Sequence, residues 1–265
     1  MFLTRVLTVL VALPVFAAAL LLLPPWLWAL FLLPALFIAS LEWAALAGYG
    51  AAARTAYAAF TSLCAAALFY LPSDGANLDL WAYALSCAFW VGIAPFWLAR
   101  RWTVRNPLVL GAVGWIALVP MWLALTRLQA HPYVLLMFMS VVWIADTAAY
   151  LAGRKWGRRK LAPAISPGKS WEGVLGAAVA LGAYCAALWF SVPAGERLFP
   201  LATGLALFAV LLALSIEGDL FESWMKRQAG VKDSGNLLPG HGGILDRIDG
   251  LTSTMPAAAL AFYLR

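Results

Sequence analysis

The residues of this chain that could do chemistry are concentrated near its C-terminus, in the segment 223–249. The segment reads SWMKRQAGVKDSGNLLPGHGGILDRID and holds four cationic side chains, three carboxylates and one of the two histidines of the chain. Its Pro-Gly-His-Gly-Gly run can bring backbone N–H groups close to a ligand, because glycine lets the chain turn where other residues clash. Carboxylates for a metal, cations for phosphate and a glycine-rich loop together indicate phosphoryl or nucleotidyl transfer.

Helical spacing places the carboxylates in two pairs around this loop. Asp219 and Glu222 lie three residues apart at the end of one apolar run, and Lys226 continues the same helical face. Asp246 and Asp249 repeat the spacing at the start of the next run. Mg²⁺ takes oxygen ligands and usually keeps water and substrate phosphate in its shell, so two carboxylate pairs joined by a loop predict a metal–phosphate site. Salt bridges with neighbouring cations are the structural alternative.

Two polar segments upstream could reach the same site. In ADTAAYLAGRKWGRRK, Asp146 lies about 10 Å along a helix from Gly153, and a carboxylate at that depth indicates a polar cavity or a helix–helix hydrogen bond. The segment LAPAISPGKSWEG is expected to form a tight loop before a helix capped by Ser170. Pro163 stands where a P-loop requires glycine, which excludes that motif. Lys169 and the amides at the helix start could still hold phosphate.

The elements that must position these residues are membrane helices. The chain is 64% hydrophobic and 11% charged, whereas about a quarter of a soluble domain is charged. The first apolar run could be a signal peptide, but a second follows Pro24-Pro25 directly, which favours a retained span. We therefore predict an all-α, polytopic integral membrane protein with about nine transmembrane helices. The expected spans are 6–23, 26–47, 54–71, 79–99, 108–126, 133–153, 172–192, 198–216 (with a helical extension toward 225) and 249–264.

The distribution of basic residues predicts the orientation in the membrane. With the N-terminus in the cytoplasm, fifteen of the eighteen Lys and Arg residues face the cytoplasm, and Arg127, Arg197 and Arg265 lie on the other side. This bias follows the positive-inside rule and predicts a C-terminus outside. We expect a multi-pass protein of the cell (inner or plasma) membrane with its active site facing the cytoplasm. The net charge of +6 then reflects orientation and attraction to anionic lipid headgroups, not nucleic-acid binding.

The polar residues also divide the chain into two parts. Residues 1–127 hold Glu42 as their obvious intramembrane charge, which we interpret as an interfacial or neutral structural carboxylate. Residues 128–265 carry the polar chemistry. We expect the N-terminal helices to supply packing and the surface of a homodimer, and the C-terminal helices to form the catalytic site. The three cysteines lie singly in apolar runs, so neither a disulfide framework nor a zinc site is predicted.

The segment 223–249 resembles the signature of the phosphatidate cytidylyltransferase (CDP-diacylglycerol synthase) family, and the length suits its bacterial members. The matching positions are Ser223, Met225, Lys226, Arg227, Lys232, Asp233, Gly235, Leu238, Pro239, His241, Gly242, Gly243, Ile244, Asp246, Arg247, Ile248 and Asp249. Two upstream motifs are similar to the other polar motifs of the family: Asp146-x2-Ala149-Tyr150-x2-Gly153 and Ser166-Pro167-x-Lys169-Ser170-x-Glu172-Gly173. Ser170 departs from the threonine expected there but keeps the hydroxyl.

The resemblance implies transfer of the CMP moiety of CTP to phosphatidate, which gives CDP-diacylglycerol and pyrophosphate for phospholipid biosynthesis. The cofactor would be Mg²⁺, alone or with a second metal ion. The metal ligands would come from Asp146, Asp219, Glu222, Asp246 and Asp249. The catalytic residues would be Asp219, Lys226, Arg227, His241 and Asp246. The groups that bind substrate phosphate would be Ser166, Lys169, Ser170, Ser223, Lys226, Arg227, Lys232, His241, Gly242, Gly243 and Arg247.

Three other functions can be weighed against this one. A polyprenol or dolichol kinase that uses CTP would share the nucleotide and differ in the lipid acceptor. A transporter would gather its charges near the midplane of paired halves, whereas here they gather at one face of the membrane. A CDP-alcohol phosphotransferase is excluded, because Asp249-Gly250 is followed by Leu-Thr-Ser-Thr, which breaks the pattern of that family.

Overall fold

The computed structural model describes residues 14–70, 77–237 and 242–265. Its helices are α1 (14–22), α2 (Pro25–Leu46), α3 (Ala51–Tyr70), α4 (Leu78–Ala88), α5 (Ala94–Arg100), α6 (Pro107–Arg127), α7 (Pro132–Trp156), α8 (Trp171–Ser191), α9 (Leu201–Gln228) and α10 (Leu245–Tyr263). A π-helical turn, Phe89–Ile93, joins α4 to α5, and short 3₁₀ turns lie at Leu128–Ala130 and Ala194–Glu196. One β-hairpin, formed by β1 (Lys160–Ala162) and β2 (Ser166–Ser170), connects α7 to α8.

Within the described residues, seven helical segments are long and apolar enough to cross a membrane, and they correspond to the predicted spans from 26–47 to 198–216. They are Pro25–Leu46, Ala51–Tyr70, Leu78–Arg100, Pro107–Ala130, Pro132–Trp156, Trp171–Ser191 and Leu201–Gln228. These segments confirm an all-α, polytopic membrane protein. The first predicted span, 6–23, lies partly outside the described residues. The ninth, 249–264, corresponds to α10.

Helix starts follow local signals in the sequence. α2, α6 and α7 begin with Pro25, Pro107 and Pro132, whose restricted φ suits the first turn, where an N–H would be unpaired anyway. At the start of α8, the Ser170 hydroxyl accepts the Gly173 N–H at 3.2 Å. The predicted cap at Ser170 is therefore confirmed.

The β-hairpin replaces the tight loop that the sequence predicted between α7 and α8. Lys160 pairs with Ser170 and Ala162 with Ser166 in antiparallel register, and the Ile165 N–H closes the turn on the Ala162 carbonyl at 3.0 Å. Strands this short show too little alternation of apolar and polar residues to be recognised from sequence. The hairpin matters here because Lys169 lies on β2 and so has a defined position.

α10 lies at the centre of the bundle and packs against α9, α6, α4, α7 and α2. It crosses α9 closely at Gly218, where an added Cβ would come within 2.6 Å of the Asp249 carbonyl oxygen. The buried hydroxyls of α10 are paired with backbone carbonyls: Ser253 donates to Leu214 at 2.7 Å and Thr254 to Gly250 at 2.8 Å. A helix that carries polar side chains can lie in this core because its hydroxyls do not remain unpaired.

Candidate active site

Polar side chains converge at one end of the bundle, where α7 and α9 end and α8 and α10 begin. A cavity of about 540 Å³ opens there, within the usual range of small-molecule sites, which is about 300–1,000 Å³. It is lined by Asp146, Ala149, Tyr150, Gly153, Arg154, Lys160, Leu161, Ser166, Gly168, Lys169, Ser170, Gly173, Val174, Ile216 and Asp219. The cavity therefore brings both upstream polar motifs together with Asp219, which lies four residues before the segment 223–249.

A lysine–aspartate pair lies in the wall of this cavity. Lys169 Nζ of β2 is 2.5 Å from Asp219 Oδ2 of α9, and the Ser223 hydroxyl donates to Asp219 Oδ1 at 3.3 Å. The Asp219 side chain is 32% exposed and that of Lys169 is 23% exposed. The charges of Asp146 and Asp219 both act on Asp249, one helical turn into α10. Three carboxylates and one ammonium thus share the deep side of the site.

A second cluster of charges is buried nearer the glycine loop. Lys226 Nζ lies 2.5 Å from Glu222 Oε2 and 2.6 Å from Asp246 Oδ1. The side chains of Lys226, Glu222 and Asp246 are 13%, 3% and 6% exposed, so the cluster is largely shielded from solvent. Asp246 Oδ2 accepts the N–H of Gly243 at 2.8 Å and that of Ser234 at 3.0 Å. Asp246 therefore ties the loop to the first turn of α10.

In the structure, carboxylates from different helices meet, whereas the spacing in the sequence paired carboxylates of the same helix. α9 and α10 run antiparallel, so the later residue on α9 meets the earlier one on α10. Glu222 shares Lys226 with Asp246, and Asp249 lies within electrostatic reach of both Asp219 and Glu222. The carboxylates of α9 thus meet those of α10 across the helix crossing. Of the salt bridges considered as an alternative, those of Lys226 with Glu222 and Asp246 are present.

Among the residues that the structure describes, the carboxylates of the site form no ready-made metal cage. Within the described ranges, no three Asp, Glu, His or Cys side chains converge on one point. Lysine ammonium groups instead neutralise Asp219 and Asp246. Mg²⁺ is usually bound through one or two carboxylates together with substrate phosphates, so a complete protein cage is not required. Asp219 opens to the cavity, with Asp146 and Asp249 beside it, and these three are the carboxylates best placed for that role.

Three of the predicted phosphate-binding residues connect the β-hairpin to the helices. Ser166 lines the cavity. Ser170 is buried and also lines the cavity; its hydroxyl oxygen accepts the Gly173 N–H at the start of α8, which leaves the O–H as a donor. Arg227 Nε donates to the Ile165 carbonyl at 3.4 Å, which ties the end of α9 to the turn of the hairpin. Of these three side chains, Ser166 has the most direct access to a ligand in the cavity.

The remaining predicted residues lie on the loop between α9 and α10 and at the start of α10. Lys232 is exposed, and Arg247 is exposed on α10. His241 lies outside the described residues, so its predicted role remains a prediction. Gly242 adopts a φ of +79°, and a Cβ there would lie 2.7 Å from Asp246 Oδ2. Glycine is therefore required at this position both by backbone conformation and by the close approach of a carboxylate.

Sequence reasoning missed two residues that contact the loop. Glu42 of α2 is 8% exposed and accepts the N–H groups of Ile244 at 3.1 Å and Leu245 at 2.8 Å. Ser234 donates its N–H to Asp246, and its hydroxyl reaches both Glu42 and Asp246. Glu42 is thus a buried structural carboxylate that accepts hydrogen bonds from backbone donors. The signal was a lone carboxylate in an apolar run, which requires a partner, but the sequence did not say which one.

Comparison with known proteins assigns the chain to a family. A family profile described as "Cytidylyltransferase family" matches residues 3–264. A phosphatidate cytidylyltransferase of Pseudomonas aeruginosa is 40% identical over an alignment of 271 positions, which covers 96% of this chain and 94% of the relative. A phosphatidate cytidylyltransferase of Haemophilus influenzae is 49% identical over 128 residues, or 47% of this chain and 43% of the relative.

A third relative, a phosphatidate cytidylyltransferase of Thermotoga maritima, is 40% identical over 129 residues, which cover 48% of each chain. The profile and the first relative extend over nearly the whole chain, so the similarity includes the N-terminal helices as well as the polar motifs. The resemblance that the segment 223–249 carried is confirmed: the chain belongs to the cytidylyltransferase family.

Proposed function

We propose that this protein transfers the CMP moiety of CTP to phosphatidate, forming CDP-diacylglycerol and releasing pyrophosphate. The family and the near full-length similarity to a phosphatidate cytidylyltransferase support this function. The observation in the structure that supports it best is the Lys169–Asp219 pair, whose side chains are partly exposed to the cavity. A cation and a carboxylate at the wall of one cavity suit a substrate that brings both phosphate and a divalent cation.

The chemistry requires positioning more than proton transfer. A phosphate monoester has a second pKa of about 6, so phosphatidate is an anionic nucleophile at neutral pH. One of its phosphate oxygens attacks the α-phosphorus of CTP, and the bond from that phosphorus to the β-phosphate oxygen breaks. Pyrophosphate leaves with the bonding electrons. Lys169 and Ser166 in the cavity wall are placed to hold phosphate oxygens, and Arg227 adds a positive charge at the end of α9.

We propose that the reaction depends on Mg²⁺, alone or with a second metal ion. Asp219, Asp146 and Asp249 would hold it, with Glu222 and Asp246 in the adjacent charged cluster. A bound Mg²⁺ supplies charge neutralisation between two anionic substrates and stabilises the transferring phosphoryl group. The carboxylates of this chain would fix the position of the metal's positive charge. The lipid tails of phosphatidate stay in the bilayer, which accounts for a transferase built from membrane helices.

The direct test is turnover by the purified protein in detergent. Radiolabelled CTP and phosphatidate with Mg²⁺ should give labelled CDP-diacylglycerol, and excess EDTA should abolish it. A polyprenol offered instead of phosphatidate should not be phosphorylated; phosphorylation of the polyprenol without CDP-diacylglycerol formation would support the kinase. Turnover that persists undiminished in EDTA would contradict the metal dependence while leaving the transferase activity intact.

We propose that the protein crosses the inner membrane nine times, with its N-terminus and active site in the cytoplasm and its C-terminus outside. The basic residues between α7 and α8 lie at the site end of the bundle, which supports this orientation. In a cysteine-free background, Lys232→Cys at the site end and Gly195→Cys between α8 and α9 should react with impermeant reagents from opposite sides. Both positions are exposed. Labelling of both from one side would contradict the topology.

We also propose a homodimer formed through the N-terminal helices. α3 leaves Phe60 and Leu63 61% and 70% exposed, so it has apolar surface that either lipid or a second copy could cover. A Leu63→Cys variant should form a disulfide-linked dimer in native membranes, whereas Phe190→Cys on α8, which is also exposed, should not. Equal cross-linking of both variants would indicate random collision instead of a specific interface.

A further inference from the structure

We propose that Glu42, on α2, is a positioning residue for the cytidylyl-transfer site. Its carboxylate holds the start of α10 and the loop before it, so that Asp246 keeps its place beside Lys226. The inference rests on the proposed function of the site around Asp219 and Asp246. It also gives the N-terminal helices, which were expected to supply packing and the surface of a homodimer, a direct part in organising the active site.

Glu42 supplies a cap that α10 cannot provide for itself. The residue before the helix is Ile244, whose side chain has no hydrogen-bond acceptor. The N–H groups of Ile244 and Leu245 would therefore be unpaired at a buried helix start. Glu42 Oε1 accepts the first at 3.1 Å and Oε2 accepts the second at 2.8 Å. A negative charge at a helix N-terminus is also favoured by the helix dipole.

Ser234 connects Glu42 to Asp246. Its hydroxyl oxygen lies 3.1 Å from Glu42 Oε2 and 3.0 Å from Asp246 Oδ2. A hydroxyl has one proton, so it can donate to one of these carboxylates at a time. The Ser234 N–H and the Gly243 N–H both donate to Asp246 Oδ2. Displacement of Glu42 would therefore release the same short segment that holds the Asp246 carboxylate.

Two glycines of the loop lie so close to Glu42 that any side chain in their place would clash with its carboxylate. A Cβ added to Gly235 would lie 2.9 Å from Glu42 Cδ and closer still to one carboxylate oxygen. A Cβ added to Gly243 would lie 2.5 Å from each carboxylate oxygen of Glu42. The loop thus wraps around the Glu42 side chain on two sides. Both glycines belong to the motif that resembles the family signature, and the buried carboxylate of α2 gives a physical reason for each.

The experiment compares Glu42→Gln with Glu42→Asp, Ser234→Ala and the control Asp79→Asn. Glutamine places an NH₂ group where Glu42 faces backbone donors, whereas aspartate keeps the charge on a shorter side chain. Asp79, also in the N-terminal part of the chain, forms an ion pair with Arg127 at 2.7 Å, away from the site. For each purified variant, kcat and KM for CTP, the thermal midpoint and hydrogen exchange of the peptide 242–247 are measured.

We expect Glu42→Gln to lower kcat/KM for CTP by about 10–100-fold, the scale found when a residue that orients a ligand-binding group is lost. Exchange of the peptide 242–247 should rise in the same variant. Glu42→Asp should recover part of the activity, and Ser234→Ala should show a smaller loss with a nearly unchanged thermal midpoint. Asp79→Asn should lower the thermal midpoint and leave kcat and KM for CTP unchanged.

Two results would overturn the proposal. One is wild-type kcat and KM in Glu42→Gln while Asp246→Asn is inactive. The other is a loss that follows only the folded fraction, with unchanged KM and unchanged exchange in the peptide 242–247. If Glu42→Gln does not fold, the test rests on Ser234→Ala and Glu42→Asp. Full activity in both of these variants would show that Glu42 is not a positioning residue. Full activity in Asp246→Asn would instead show that the proposed function of the site is wrong.

Discussion

The two lysine–aspartate pairs of the site have similar distances and different surroundings. Lys169 and Asp219 are 2.5 Å apart with side chains 23% and 32% exposed. Lys226 and Asp246 are 2.6 Å apart with side chains 13% and 6% exposed. Asp219 faces the cavity, whereas Asp246 also accepts hydrogen bonds from two backbone N–H groups. An ion pair partly open to solvent can exchange its partner, whereas a buried pair with additional donors holds its geometry.

This difference indicates that one pair binds the ligand and the other maintains the shape of the loop. A metal ion can replace Lys169 on Asp219, and a substrate phosphate can replace Asp219 on Lys169, without leaving a buried charge unpaired. The same exchange at Asp246 would break a cluster in which Lys226 also neutralises Glu222, a residue 3% exposed. We therefore interpret the pair at Asp219 as the part that meets the ligand and the pair at Asp246 as the part that shapes the loop. The predictions below test that division.

The largest expected effects come from Asp219→Asn and Asp246→Asn. Each should lower kcat by about 10³-fold, the scale seen when a key electrostatic group is removed from an active site. The two should differ in stability. The Asp246 amide would face backbone N–H donors, and each unpaired donor costs about 1–3 kcal/mol, so the thermal midpoint should fall only in Asp246→Asn. Turnover assays and thermal unfolding test this; near-normal turnover in Asp246→Asn would show that the site does not depend on the loop geometry that Asp246 maintains.

An intermediate effect is expected from the two lysines. Lys226→Met leaves two buried carboxylates without their cation, and breaking a buried pair in this way typically costs about 3–5 kcal/mol. Lys169→Met should instead raise KM for CTP by about tenfold, equivalent to about 1.4 kcal/mol, with little change in stability. Thermal unfolding measures the stability of both variants, and initial rates over a range of CTP concentrations measure KM. If Lys169→Met proves the less stable variant, the two pairs do not differ in the way proposed.

The smallest effect is expected from Asp233→Asn. Asp233 belongs to the same motif as Asp246 but is exposed on the loop, and the charge of an exposed group contributes little to stability. We expect less than about a threefold change in kcat and no change in the thermal midpoint, within the usual range of surface substitutions. A loss as large as that of Asp246→Asn would show that the motif acts as a unit regardless of burial.

Much of the architecture and chemistry could be predicted from the sequence because both depend on local information. Apolar runs of about 20 residues can satisfy their backbone in a membrane only as helices. Ser170 caps α8 as predicted, because a cap requires only the backbone of the next turn. The residue types of the segment 223–249 and its spacing were enough to indicate the family. The described candidate residues lie at one end of the bundle because they are at or near helix ends that meet there.

Only the tertiary structure decided which carboxylates meet. The spacing of three residues paired Asp219 with Glu222, but the antiparallel crossing of α9 and α10 at Gly218 grouped Glu222 with Asp246 instead. Glu42 lies about 200 residues before the α10 start that it caps, and no periodicity in α2 indicates that partner. The physical reason is common to both cases. Periodicity fixes the face of a helix on which a residue lies, whereas its partner depends on how whole helices pack against one another.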